Sequence, residues 1–399
     1  MSLLSKIAGD FTYEPGAMNL SSGARKLIQQ AFSGIGRGVG RDYHVHIAGI
    51  GTGGTGCYVN KKMRSWLTPH ERLKFLIFAN AAGVRNEDRT DEEYLDRLVR
   101  LAQDFPIPVK FQLLAFDQFY SEDGKPHPER SQIYAPNDYI WEICRRWPQY
   151  FIPCVSIHPY RADALDELEK WAERGVRQVK WLPNAQGMNP SNPRCDRFYE
   201  TMIRHNMVLL CHAGKEQSIN TTGFQKFGNP LFCRRPLDHG LSVIIAHCAG
   251  LGTNVDVEDP KKRRRKNFDL FMRLFDEERY EGLLWGDITA IIQSNRSGAP
   301  LQTILALQNK HHRITNGSDY PLPAINMVVS TRLLQMRGYI TGKERRFLNE
   351  IYHRNPLLFD FVVKRTLKHP LSGQRFLSEL FFARPELEPE RTASGTHHE

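Results

Sequence analysis

Short apolar runs, each broken by a polar or glycine-rich turn, recur along most of the chain. Between them lie longer stretches with the spacing of amphipathic helices. The short runs predict strands at 42–48, 109–117, 151–157, 176–182, 207–211, 242–246, 283–288 and 313–316. The longer stretches predict helices at 22–32, 68–84, 91–105, 137–147, 162–174, 194–206, 267–277, 323–334 and 343–352. Thr68-Pro69 marks one helix start, Asn137 is placed to cap another, and Gly175 closes the helix that begins near 162. Eight strands alternating with helices predict a parallel α/β architecture. The count fits a closed (β/α)8 TIM barrel with an N-terminal leader, inserted loops and a C-terminal extension. An open doubly wound sheet is the other arrangement of the same alternation. On this reading residues 1–40 are the leader, 41–369 the barrel and 370–399 the extension. Within the extension, 385–399 is rich in Pro, Glu, Arg and Ser and is expected to be disordered.

The ends of these strands carry the chemistry. Strand one reads Asp42-Tyr43-His44-Val45-His46. Residues i and i+2 of a strand face the same way, so both imidazoles project to one side, close enough to grip one metal ion. Later strands end in His212, His247 and Asp319, and a fourth carries Lys180. In a closed barrel the C-terminal strand ends share one rim, where catalytic groups gather. An open sheet would not draw side chains from strands one, four, five, six and eight together. A lone buried histidine is more often a hydrogen-bonded core residue. Four histidines and an aspartate, all at strand ends, are instead the donor set of a catalytic divalent ion with a position left for water. Bound to Zn²⁺, that water ionises near neutral pH and can attack an electrophilic carbon. Cys211 and Cys248 adjoin His212 and His247, but alternation turns their thiols toward the helices, as packing residues.

Composition narrows the setting. The chain has 399 residues, 41% hydrophobic and 25% charged, the balance of a globular protein able to bury a large core without disulfides. Its seven cysteines are odd in number and form no C-x-x-C, which points to reduced thiols and a cytoplasmic setting. The N-terminal apolar run is too short for a signal peptide, and no stretch reaches membrane-spanning length, so no membrane partner is expected. The net charge of +10 fits a solvated basic surface, an anionic substrate or nucleic acid. The run Lys261-Lys262-Arg263-Arg264-Arg265-Lys266 follows Asp256, Glu258, Asp259 and Pro260 and reads as an exposed loop or helix start. Gly51, Gly53 and Gly56 formally satisfy the dinucleotide pattern G-x-G-x-x-G. No helix opens on them, because 57–67 reads as a polar loop, and two histidines hold the strand end; 49–56 is therefore expected to be a mobile loop over the site.

Taken in order, Asp42-x-His44-x-His46, Lys180, His212, His247 and Gly317-Ser318-Asp319-Tyr320-Pro321 resemble the amidohydrolase superfamily of metal-dependent barrel hydrolases. Val179-Lys180-Trp181-Leu182-Pro183-Asn184-Ala185-Gln186-Gly187 resembles the branch that contains the aminocarboxymuconate-semialdehyde-decarboxylase-like enzymes. The resemblance runs from about 42 to 360. It implies that His44, His46 and Asp319 bind the more buried metal and that Asp319 is also the general base. It makes His212 a ligand, and His247 either a second-metal ligand or an electrophile that polarises the substrate. Lys180 keeps two roles: carboxylated, it would bridge two ions; as an unmodified ammonium it has no lone pair to give and would be a substrate-facing or structural group. The implied cofactor is a divalent metal, Zn²⁺ first, as one or two ions.

The glycine-rich insertion after His46 and the C-terminal extension depart from the simplest family pattern, so the βα loops must decide the substrate. His158, Asn184 and Gln186 lie on such loops, as candidate substrate contacts or as turn caps. Lys215 and Arg296 could meet an anionic group, although surface exposure is the expectation for both. The expected function is hydrolysis of a C–O or C–N bond in a small molecule, anionic or neutral, such as a lactone, ester or amide. The alternatives are a metal-dependent non-oxidative decarboxylase of a small carboxylic acid, and a non-catalytic nucleic-acid-binding or scaffold protein on a barrel fold. Nucleic acid is not the expected partner, and a homo-oligomer is compatible with each reading.

Overall fold

Eight parallel strands close into a barrel in the computed structural model, which describes residue 16 and residues 18–35, 39–221 and 223–388. They are β1 (Gly40–His46), β2 (Val109–Leu114), β3 (Phe151–Cys154), β4 (Gln178–Trp181), β5 (Val208–His212), β6 (Val243–Ala246), β7 (Leu284–Asp287) and β8 (Ile314–Thr315). Ladders join β1 to β2 and β2 to β3, and run without a break from β4 to β8. Two short junctions complete the ring. Val155 pairs with Val179 between β3 and β4, and Val45 pairs with Tyr320 between β1 and the chain leaving β8. Each strand predicted from the apolar runs is present, and the closed ring excludes the open sheet.

Alternation sorts the side chains. Leu114, Cys154, Val208, Leu210, Ile244 and Trp285 fill the barrel. Leu209, Cys211, Val243 and Ile245 face the surrounding helices, as does Cys248. Strand β1 slips its register against β2 between Asp42 and Val45. This bulge lets Tyr43 point into the lower barrel and both His44 and His46 into its upper mouth.

The chain closes the barrel floor with its own C-terminal segment. Phe382 pairs with Gly40, Leu387 joins the barrel filling, and Glu388 accepts from Tyr43 Oη and Arg41 Nε. Residues 385–388 therefore depart from the expectation of disorder, because buried partners fix them; 389–399 lie outside the described residues. At the other end of the chain the helix Ser22–Phe32, capped by Ser21, packs on Gly342–Arg354 and Pro356–Thr366, with Phe32 stacked on Phe361 at 4.5 Å. Among the described residues no helix is long and apolar enough to cross a membrane.

Other expectations need correction. The stretch 323–334 is not one helix: Leu322–Ala324 is a single tight turn, and a separate helix, Thr331–Met336, starts where the Ser330 hydroxyl accepts from Leu333 N. Asn137 does not cap its helix. Its amide instead exchanges two hydrogen bonds with the Ser156 backbone, tying the helix Asn137–Arg146 to the end of β3. The helices Ala299–Ala306 and Pro356–Thr366 were not predicted. The basic run forms one side of an antiparallel ribbon, Arg264–Lys266 against Thr253–Val255, in which all three basic residues are exposed.

The insertion after β1 is more structured than a polar loop. Tyr58–Val59 pairs with Ile133–Tyr134, and the short helix Lys61–Arg64 packs on Pro69–Ala81. The glycine-rich turn is anchored rather than free. The buried Asp91 carboxylate accepts from Ile50 N at 2.7 Å, Gly51 N at 3.2 Å and Thr52 Oγ1 at 2.9 Å, and from the Thr55 hydroxyl. An acidic group of the chain itself fills the place where a dinucleotide phosphate would sit.

Candidate metal centre

The rim of the barrel is built by backbone geometry as much as by strand ends. His247 and Asp319 stand just beyond β6 and β8 at φ +59° and +63°, a left-handed conformation that costs a non-glycine residue about 1–2 kcal/mol. Each is held there by a hydrogen bond: His247 N donates to Asp287 Oδ1 at 2.5 Å, and Asp319 N to His44 O at 2.8 Å. Gly317 permits the close approach of the β8 exit to β1, because a Cβ there would lie 2.2 Å from Thr289 Oγ1 and 2.6 Å from His44 Cβ.

These constraints bring the strand-end groups together. His46 Nε2 lies 3.2 Å and His44 Nε2 3.7 Å from Asp319 Oδ1, and the three donors fall within 4.8 Å of one another. His247 stacks on His44 with ring centres 5.2 Å apart, and His212 meets His247 edge-on at 5.1 Å. Lys180 Nζ is 3.1 Å from His44 Nε2. Only His46 is substantially accessible, with 29% of its side chain exposed.

Burial sets the charge states. It is the main cause that holds His44 and His212 well below the usual histidine range, with Lys180 adding to the effect at His44 and His247 at His212. Burial likewise brings His247 to about 3. For Asp319 burial acts upward, but the His46 hydrogen bond and the surrounding imidazoles outweigh it and hold the carboxyl well below its normal range. Burial also lowers Lys180. At neutral pH His44, His212 and His247 are therefore neutral imidazoles beside the ionised Asp319 carboxylate.

Asp287, at the end of β7, organises this set and was not singled out from the sequence. Besides His247 N it accepts from Thr289 N at 3.1 Å, and its Oδ2 is 3.0 Å from His44 Nδ1. A carboxylate at that distance holds the His44 proton on Nδ1 and leaves the Nε2 lone pair directed at Asp319. The signal was available, since an apolar run ending in Trp285-Gly286-Asp287 obeys the rule that exposes Asp319. Asp287→Asn is expected to weaken divalent-ion affinity by about 10- to 100-fold, read by competition with a chromophoric chelator. Unchanged affinity would remove Asp287 from this role.

The residues present suit a divalent ion. Ligand atoms sharing one ion at about 2.0–2.2 Å lie about 3–3.5 Å apart, close to the spacings found here. His212 Nε2 supplies an independent sign: it is buried with no hydrogen-bond partner, and the nearest carboxylate, Glu216 Oε2, is 3.5 Å away. A lone pair stranded in this way is what a metal or its water would satisfy. His247 donates Nδ1–H to Thr289 O at 3.1 Å, so as a neutral ring it turns an accepting Nε2 to the cleft. That tautomer suits a ligand rather than a hydrogen-bond-donating electrophile.

The other predicted contacts are placed elsewhere. His158 is fully buried with both ring nitrogens engaged, by Gln186 O at 3.0 Å and Tyr160 N at 3.1 Å. Gln186 accepts from Leu182 N and donates to Asp117 O and Ser156 Oγ. Asn184 donates to Gly214 O and Gln225 Oε1. These three residues knot the loop after β4 and do not join the cluster. Lys215 is exposed, but Arg296 is buried at 7%, contrary to expectation, and lines a side branch with Glu216, His247 and Asp319. Glu216, four residues after His212, is a second functional candidate missed in the sequence; burial raises its carboxyl.

Several known proteins are similar to this chain. Among solved structures, an uncharacterised TIM-barrel protein of Bordetella bronchiseptica is 12% identical, over 78% of this chain and 99% of its own, with a TM-score of 0.46. 4-Oxalomesaconate hydratase of Rhodopseudomonas palustris is 13% identical, over 80% and 96%, with a TM-score of 0.41. 5-Carboxyvanillate decarboxylase of Novosphingobium aromaticivorans, solved with bound manganese, is 11% identical, over 79% and 94%, with a TM-score of 0.43. A search of curated proteins found no match. The model of the family Amidohydro_2, described as amidohydrolase, matches residues 42–324, most of the chain and every strand-end residue of the rim from His44 to Asp319. The chain belongs to the amidohydrolase family.

Proposed function

We propose that the protein is a metal-dependent hydrolase that cleaves a C–O or C–N bond, in a lactone, ester or amide, with a metal-activated water. The observation that carries this reading is the cluster of His44, His46 and Asp319 at the floor of a cleft of about 160 Å³, open at its mouth. A divalent ion held by these three residues, with His212 as a further ligand, would supply Lewis acidity and an acidified water. Asp319 is ionised and faces the same space, so it takes the proton of the attacking water and passes it to the leaving group. The accepting Nε2 of His247 can hold a second ion or a proton-bearing group. Lys180 as an amine competes for the His44 lone pair; a bridging role between two ions requires its carboxylation. The apolar cleft walls thin out bulk water and strengthen every charge interaction inside. The cation of choice is Zn²⁺, given its nitrogen-rich donor set, and the seven free cysteines fit a cytoplasmic setting.

A decarboxylase of a small carboxylic acid is the second reading, favoured by Arg296. Its guanidinium is buried beside the centre, and its Nε has no partner, as a carboxylate-binding group would require. Elemental analysis, followed by assay of a panel of lactones, esters and amides against carboxylic acids scored for CO₂ release, tests both. One or two ions per chain and turnover of a lactone, ester or amide are expected. CO₂ release without hydrolysis would replace the first reading by the second. No ion, no turnover after Zn²⁺ or Mn²⁺ addition, and salt-dependent binding of generic DNA or RNA would overturn both in favour of a non-catalytic role for the exposed basic ribbon.

A further inference from the structure

The cleft has two unlike ends. Its floor is the metal centre. Its outer wall comes from the insertion after β1, where Ile50, Val59, Met63, Phe75 and Phe78 line it, with Ile133 from the paired strand opposite. Among the described residues, every charged or imidazole side chain that lines this cleft belongs to the centre or, as Glu216, adjoins it. Two polar groups on the wall are already engaged: Gln132 Oε1 accepts from Asn220 N at 2.6 Å, and Tyr94 Oη donates to His46 O at 2.9 Å. The wall thus offers no cation to an anionic group and little to a polar one.

We propose that the substrate carries an extended apolar group, an acyl, alkyl or aryl portion of several carbons, which lies along this wall while its hydrolysable bond sits over the metal centre. The inference rests on the hydrolase reading for the reacting end and on the cleft walls alone for the apolar end. The wall excludes water from a space that only apolar surface fills favourably. It is also purpose-built, since its residues come from a folded insertion: the bend between Lys61–Arg64 and Pro69–Ala81 carries Trp66 and Leu67, 73% and 93% exposed, on the hairpin that supplies Met63 and Phe75. Apolar residues on both the outside and the inside of one hairpin suit the capture of an apolar ligand from water.

Two measurements on the full-length protein test this. Titration calorimetry with alkan-1-ols from butanol to octanol should show affinity rising about three- to fourfold per added methylene, in the wild type and in Asp319→Asn alike. Hydrolysis of p-nitrophenyl esters from acetyl to decanoyl should favour the long chains. Two substitutions on the wall, Ala79→Phe to narrow it and Ile133→Glu to charge it, should reduce octanol affinity at least tenfold, with melting curves confirming that each variant is folded. Should one variant not fold, the other and the alcohol series still decide. Graded alcohol binding without ester hydrolysis would keep the apolar site and reject the hydrolase reading. Flat alcohol affinity across the series, or hydrolysis confined to short or anionic substrates, would overturn the apolar site and leave the hydrolase reading standing.

Discussion

Asp319→Asn is expected to lower kcat/KM by about 10³-fold or more, about 4 kcal/mol of transition-state stabilisation, while the variant melts close to the wild type. The amide keeps the shape of the carboxylate but loses what the centre uses. It carries no charge for a divalent ion, and it cannot take a proton from water. His46 Nε2, now 3.2 Å from Asp319 Oδ1, loses an anionic partner. Ion content and turnover must be measured separately, because they divide the two roles: retained metal with lost turnover isolates the proton-transfer role, whereas loss of both assigns Asp319 chiefly to the ion. Activity within tenfold of wild type at full metal occupancy would show that another group is the base, and Glu216, buried near His212, would be the next to test.

The same residue shows what the sequence makes readable. Asp319, His212 and His247 are legible because barrel strands are short apolar runs and the polar residue at each end lands on one rim. Asp287 obeys this rule and was passed over only because no motif drew attention to it. The bulge between Asp42 and Val45 is a different case. Alternation alone would put His44 and Tyr43 on opposite faces; pairing with β2 breaks the alternation, and no local pattern announces it. Arg296 looks like a surface residue because charge predicts exposure, yet the loop after β7 folds it inward beside Asp319 and Glu216. The C-terminal residues 385–388 read as a tail, since their partners, Arg41 and Tyr43, lie more than three hundred residues earlier. Long-range pairing of this kind leaves no periodicity in either segment.

Lys364→Met is expected to destabilise the protein by about 3–5 kcal/mol at pH 8, read as a shift in the urea midpoint, because it strands a buried carboxylate. Lys364 Nζ donates to Asp360 Oδ2 at 2.7 Å and to Gly317 O at 2.6 Å, and both side chains are essentially inaccessible. Gly317 stands two residues before Asp319, so this lysine also pins the strand exit that delivers the carboxylate to the centre. Burial already lifts the Asp360 carboxyl to about 7, against the pull of Lys364. An unfolded aspartate titrates near 3.9. Between about pH 4 and 7 the folded chain therefore holds a proton at Asp360 that the unfolded chain has released, and this group costs stability as pH rises through that window. Without Lys364 the folded carboxyl moves higher still, so the loss extends to more alkaline pH. The variant should sit closest to the wild type near pH 5 and fall furthest behind above pH 8. Lys364→Met combined with Asp360→Leu should recover much of the deficit, because removing both partners leaves no charge to bury. A deficit independent of pH, or a double variant no more stable than the single one, would mean that packing of the lysine stem, rather than its charge, is what the helix Pro356–Thr366 contributes beneath the centre.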